Sequence, residues 1–367
     1  MPLISIIIPT RNAEPYVRAA VESVLAQRGD FELEVIVIDD GSTDRSAEVV
    51  RAIGDSRVRI IPGPRQGISA AFNAGLTEAR GELLARCDAD DLYPPDRLAW
   101  QVAFLQRQRD YGAVSGSYST MTHAGKVVAE RKTYGDGAEV TGELQRGIGR
   151  SHVCAYLFRT EALRQIGGCR TFFVTAEDVD LQLRLSEMTR IWYEPRNAYL
   201  YRLHDASITH LQKAAERAFF EQCAKAFQQQ RLSRADRKDD LGLGRPPAPP
   251  AVQASVPVSA KQQIQKLLLG QAWAAHGAGH KGEGLSLGFR AWMTDPLRVG
   301  VLKSVIALAI RSAPSASPGT PGEGRGECSR EERSSGQLTP AAPNPHPNPL
   351  PEYRERGPEQ SPAAPRV

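Results

Sequence analysis

Up to residue 91 the chain alternates unbroken apolar runs with stretches whose apolar residues recur every three or four positions. Leu3–Ile8 is a continuous apolar run, as a strand covered on both faces requires. Glu14–Gln27 places Tyr16, Val17, Ala20, Val21, Val24 and Leu25 at helical spacing. Leu33–Ile38 predicts a second buried strand, followed by a polar turn at Asp39–Asp44 and a helix to Ile53. Val58–Ile61 predicts a third strand, Gly67–Arg80 a helix, and Glu82–Ala85 a fourth strand ending at the acidic cluster Asp88-Ala89-Asp90-Asp91. Strand, crossover helix and strand, repeated three times, predict a parallel sheet with right-handed crossovers. Ligands of such sheets bind beyond the carboxyl ends of the strands, where Thr10-Arg11-Asn12, Asp39-Asp40 and Asp88–Asp91 all fall.

Beyond Pro94-Pro95 a helix (Asp96–Gln108) leads into a less regular portion. Strands are predicted at Ala113–Tyr118, Lys126–Glu130, Val153–Phe158, Ile191–Tyr193 and Ala198–Tyr201, and helices at Thr160–Ile166, Glu177–Ser186 and Lys213–Gln230. Residues 135–151 are glycine-rich and read as mobile. The organisation expected is a body over 1–210, split into halves at 112, a helix within 211–232, a proline-rich linker over 233–258 and a helical accessory region over 259–312. That region is expected to hold two amphipathic helices, Gln262–Ala275 and Leu297–Ile310, around a glycine-rich stretch.

Composition changes this picture mainly at the end of the chain. Of the 26 prolines, twelve fall in residues 313–367, where only three residues are Leu, Ile, Val or Phe. Such a segment cannot offset its ordering entropy and is expected to be disordered. A net charge of +4, mixed along the chain, excludes a dedicated nucleic-acid binder. The cysteines number five and form no CxxC pair, which speaks against a zinc ribbon or a disulfide framework and for a reducing compartment. The start has no basic segment before its short apolar run, and no window reaches the ~18 apolar residues of a spanning helix. A cytoplasmic protein, at most touching a membrane, is expected. Trp273, Trp292, Lys303 and Arg311 suit an anionic bilayer surface, and equally suit packing back on the body.

The acidic cluster is the strongest chemical signal. Two carboxylates about 4 Å apart repel by roughly 4 kcal/mol at an effective dielectric of 20, and solvation or a divalent cation relieves this. Mg²⁺ or Mn²⁺ suits such oxygen donors together with substrate phosphates. The alternative is an acidic turn capping the helix behind Pro94-Pro95. The turn Val37–Asp44 either offers carboxylates to a base or ribose, or is an ordinary helix N-terminus.

Five segments in this order resemble the family 2 glycosyltransferases of the GT-A fold, over residues 3 to about 210: Ser5–Asn12, Val37–Asp44, Gly67–Gly75, Cys87–Asp91 and Ala176–Leu181. The resemblance implies an α/β fold, a Rossmann-like, mostly parallel mixed sheet flanked by helices. It implies a nucleotide-sugar donor half over 1–112 and an acceptor half over 113–210, with inverting transfer to a saccharide or lipid-linked saccharide. Pro9, Thr10 and Asp40 match positions that cradle the base, Arg11 lies beside them, and Arg65 lies near a nucleotide-contacting arginine of some members. Asp88, Asp90 and Asp91 cover the DxD-type element, which holds the ribose and a Mn²⁺ or Mg²⁺ ion, with Asp90 and Asp91 the favoured metal ligands. Asp178 matches the catalytic base, Asn73 a brace for the nucleotide-binding helix, and His204 a segment whose histidine reaches the metal or diphosphate. His204 is alternatively a surface histidine, and His152 lies near the expected acceptor site. Among rivals, a sugar nucleotidyltransferase would open with a glycine-rich basic loop that Pro9–Glu14 does not supply, and a glycoside hydrolase needs no nucleotide turn. A non-catalytic binding protein of the same fold is the third.

Overall fold

The apolar runs become strands at the centre of one nine-stranded sheet in a computed structural model, which describes residues 1–130, 136–205, 214–249, 259–296 and 299–310. Strands β1 (Leu3–Thr10), β2 (Glu32–Asp39), β3 (Val58–Pro62) and β4 (Leu83–Arg86) are mutually parallel. They are connected by helices α1 (Val17–Leu25), α2 (Ser46–Arg51) and α3 (Ile68–Glu78). Ile4, Ile6, Ile7, Ile8 and Val35–Ile38 are all buried, since helices cover both faces. Helix α4 (Arg97–Arg107) then leads to β5 (Tyr111–Thr122) and its hairpin partner β6 (Val127–Glu130).

The second half mixes directions. Strand order is β3-β2-β1-β4-β8-β5-β9-β7, with β8 (Tyr156–Arg159) antiparallel to β4 and β5, and β9 (Arg190–Leu203) parallel to β5. Because β8 runs backwards, its beginning lies on the rim where β1, β2 and β4 end, and β9 also ends there. The two strands expected at 191–193 and 198–201 are this one strand, broken in register where Gly116 pairs Glu194 and Ser117 pairs Asn197. Pro195, which has no N–H for the ladder, and Arg196 occupy the skipped positions. The stretch 135–151, expected to be mobile, contains β7 (Ala138–Glu139) and α5 (Thr141–Gln145), anchored by buried Val140 and Leu144. Val153–Ala155, expected as strand, is a 3-10 turn ahead of β8. Helices α6 (Thr160–Gln165) and α7 (Glu177–Met188) follow it.

After the body, α8 (Ala214–Ser233) packs Phe220, Ala224 and Phe227 on Phe173 and Leu183. The linker expectation fails for its first part: Asp239 is buried and ion-paired to Arg170 and Arg231, and Leu241 packs on the α8 cluster. The accessory region forms three helices, α9 (Ala260–Gly277), α10 (Lys281–Thr294) and α11 (Val299–Ile310). Helix α10 replaces the expected glycine-rich connection. Ile264, Leu268, Ala291 and Val301 of these helices close over Leu203 at the end of β9. The expected tail, 313–367, lies outside the described residues, as does Arg311.

A candidate active site along the carboxyl rim

The nucleotide-side loops are tied to one another before any ligand is considered. Asn12, with φ +52°, turns its Oδ1 to the Thr43 N–H at 2.7 Å, while the Ala13 N–H donates to Ser46 Oγ at 2.8 Å. Thr10 is buried, and its carbonyl accepts from the Asp40 N–H at 2.8 Å. Asp40, only 4% exposed, accepts from the backbone N–H groups of Arg65 (2.6 Å) and Gly67 (2.8 Å). Its carboxylate thus shapes the β3–α3 loop and places Arg65, whose side chain crosses Gly41. Pro9, Thr10, Asp40 and Arg65 meet at one end of the rim, with Arg11 exposed beside them. Asn73 acts as the expected brace, its amide donating to the Cys169 carbonyl (2.7 Å) and accepting from the Cys169 N–H (2.8 Å).

The acidic cluster divides into three environments. Asp88 pairs with buried Arg86 at 2.6 Å; burial pulls its carboxyl pKa up, and Arg86 more than reverses this, holding it below the ordinary value. Asp90 meets His204, Oδ2 to Nε2 at 2.9 Å, so the end of β9 brings the histidine to the acidic loop. The His204 ring lies 4.6 Å from that of Tyr16. Asp91 is fully buried. Its Oδ1 accepts from the Arg202 N–H at 2.7 Å, whereas Oδ2 has no hydrogen-bond partner. Burial, with Asp90 and Asp88 adding repulsion, pushes the Asp91 carboxyl well above its usual range, although the Arg202 N–H and the Tyr199 hydroxyl favour its charge. The carboxylate of Asp90 and the imidazole of His204, 2.9 Å apart, are donors that suit a hard divalent cation such as Mn²⁺ or Mg²⁺, whereas the buried Asp91 carboxylate does not converge with them within 4.8 Å. A second grouping, Asp88, His152 and Cys154, brings ligand atoms within 4.8 Å of one another. There Arg86 already neutralises Asp88 and repels a further cation, and burial pushes the Cys154 thiol pKa well above its ordinary value.

On the other side of the rim stands α7. Ala176, at φ +58°, opens it with Glu177 and Asp178 in the first turn. Glu177 bonds the far side of the Arg86 guanidinium at 3.1 Å, so one buried arginine joins the acidic loop to this helix. Burial, together with the charge of Asp178, raises the Glu177 pKa against that pairing. Asp178 is nearly buried and faces His152 Nε2 at 3.9 Å. Arg217, from α8, carries a charge that Asp178 favours. Asp180, two residues on, is fully buried between Arg170 and Arg184 and holds the helix in place. The structure therefore gathers Asp88, Asp90, Asp91, Asp178 and His204 on one rim. Sequence reasoning missed Arg86 and Glu177 as the link between the two sides, and left His152 without a role.

Residues 5–167 match the family model described as Glycosyl transferase family 2. Over 108 residues the chain is 44% identical to an uncharacterized glycosyltransferase of Haemophilus influenzae, covering 29% of this chain and 43% of that protein. Over 209 residues it is 28% identical to the chondroitin synthase of Pasteurella multocida, covering 56% of this chain and 21% of that one. The chain thus spans less than half the length of these relatives. Among solved structures, S. aureus TarS in complex with UDP-GlcNAc superposes with a TM-score of 0.53 at 18% identity, over 82% of this chain and 83% of that one. That likeness concerns the fold, a mixed, mostly parallel sheet flanked by helices.

Proposed function

We infer that this chain, whose residues 5–167 match the Glycosyl transferase family 2 model, moves a sugar from a nucleotide diphosphate to a hydroxyl acceptor with inversion, on a GT-A fold. A UDP-sugar is the favoured donor. One observation supports the reading above others. An Asp90–His204 pair in the acidic loop and a separate carboxylate (Asp178) face one rim from different elements, and Arg86 joins the loop to the helix of Asp178. Single in-line displacement needs that separation, since attack and departure occur on opposite faces of the anomeric carbon.

Pro9, Thr10, Arg11, Asp40 and Arg65 bound the place for the base, and Asp88 is positioned by Arg86 to accept from the ribose. Asp90 and His204 would hold Mn²⁺ or Mg²⁺, which when bound supplies positive charge against the diphosphate. Asp178 takes the acceptor hydroxyl's proton while the new C–O bond forms and the bond to the diphosphate breaks. Arg86 keeps the two sides in register. The acceptor in this reading is a saccharide or lipid-linked saccharide of cell-surface polysaccharide or glycolipid assembly. A location at the inner face of the membrane follows, with contact through residues 259–312. The outer side of α11 exposes Leu302, Ile306 and Ile310 next to Lys303, which supports such a contact.

Calorimetric titration with uridine diphosphate tests the donor side. Binding is expected to need Mn²⁺ or Mg²⁺ and to weaken in Asp90→Ala; equal affinity in chelator would overturn the metal assignment. Asp178→Asn is expected to keep nucleotide affinity and lose transfer.

A further inference from the structure

His152 caps the 3-10 turn Val153–Ala155, and a cap needs only one acceptor atom. Nδ1 supplies it, accepting from the Cys154 N–H at 3.3 Å. A neutral imidazole whose Nδ1 accepts carries its proton on Nε2. That nitrogen faces Asp178 Oδ2 at 3.9 Å. Burial pulls the ring's pKa down, against the opposing charges of Asp178 and Asp88, and Arg86 and Arg217 act in the same sense as burial. Burial thus favours the uncharged ring. Its plane is fixed as well: it stacks on Tyr199 with centroids 5.8 Å apart and planes 10° apart, while Tyr118 and Tyr201 close around it at 6.4 and 5.9 Å. The Tyr199 hydroxyl in turn accepts from the Asp88 N–H at 2.9 Å. Serine or asparagine would cap the turn equally well. Neither would turn a proton towards Asp178.

We propose that His152 is a positioning residue for Asp178, its Nε2–H fixing Oδ2 so that Oδ1 is presented to the acceptor hydroxyl. The inference rests on Asp178 being the base. The proton removed from the acceptor goes to Asp178 Oδ1 and not to the imidazole, whose facing nitrogen is already protonated. A separation of 3.9 Å is long for a hydrogen bond, and such contacts tighten once substrate is bound. Tyr199 couples the ring to the acidic loop, so the orientation of the base depends on a side chain that also orders the donor side.

Two measurements on the full chain test this. In a long-range ¹H–¹⁵N spectrum of ¹⁵N-histidine-labelled protein, the signal lost in His152→Gln is expected to show the Nε2–H tautomer and to move in Asp178→Asn. An Nδ1–H tautomer, or a signal indifferent to Asp178→Asn, overturns the proposal without any assay of transfer. Kinetically, nucleotide release is followed with whichever member of a UDP-sugar panel the wild type turns over fastest. His152→Phe is expected to lower kcat by roughly 10–100-fold with the donor KM within about twofold. His152→Gln, which keeps an N–H donor, is expected to recover most of kcat. Unchanged kcat in His152→Phe, beside an inactive Asp178→Asn, overturns the positioning role and leaves the base in place. Full activity in Asp178→Asn overturns the base, and the positioning role falls with it.

Discussion

At the scale of single residues, the site is a contest between burial and charge. Asp91 is the clearest case, a carboxylate sunk beneath the rim with one oxygen unpartnered. Asp91→Asn keeps an acceptor for the Arg202 N–H and removes the buried charge. We expect it to stabilise the metal-free protein by about 1–3 kcal/mol, read as a raised Tm. Arg86 behaves in the opposite way. Arg86→Ala leaves Asp88 and Glu177 facing each other without their shared cation, and a loss of about 3–5 kcal/mol in denaturant unfolding is the expected result. Asp90, Asp178 and His204 were legible in the sequence as candidates because each sits in a short segment whose neighbours resemble a family motif. Arg86 and His152 were not, since their partners Glu177 and Asp178 lie far along the chain and only the sheet brings them near.

At the scale of elements, α7 is held by an ionic chain running Arg184–Asp180–Arg170–Asp239–Arg231–Glu187. Burial would raise the Asp239 carboxyl, but the Gly242 N–H and the two arginines outweigh it and hold it below its ordinary value of 3.8. A lowered folded-state pKa gives stability that is present above the unfolded value and lost as pH falls through the folded one. Acidification below about pH 4 should therefore loosen the turn around Asp239. Limited proteolysis between pH 5 and 3 is expected to show cleavage appearing there, and Asp239→Asn to show it already at pH 5. The pattern of apolar runs announced β1 to β4, since strands buried on both faces look like nothing else of their length. Helix α10 was hidden by its glycines, which serve proximity rather than flexibility. A Cβ at Gly284 would stand 2.8 Å from the Ala272 carbonyl, and one at Gly288 2.9 Å from Leu308 Cδ1. Those glycines let α9 and α11 approach closely, something period counting reads as a break.

At the scale of the whole molecule, α9–α11 cover the outer edge of the sheet. Gln271 donates to the Glu130 carbonyl at 2.8 Å and Arg290 to the Val128 carbonyl at 2.9 Å, so strand β6 does not present a bare edge. Residues 259–312 hold seven basic and two acidic residues, although the entire chain nets only +4. Co-sedimentation with vesicles is expected to capture the protein on anionic lipid and not on neutral lipid, with Ile306→Glu releasing it. Equal recovery from neutral vesicles would remove the surface-charge argument. No helix among the described residues is long and apolar enough to cross a membrane.

The single guanidinium of Arg86, clasped by Asp88 on one side and Glu177 on the other, also limits how such a protein can be recombined. It ties the end of β4 to the start of α7, in addition to the β4–β8 pairing that joins the two portions of the sheet. A graft that replaces residues 113–210 must import a carboxylate at position 177, or it leaves the buried Arg86 with Asp88 as its remaining ion-pair partner.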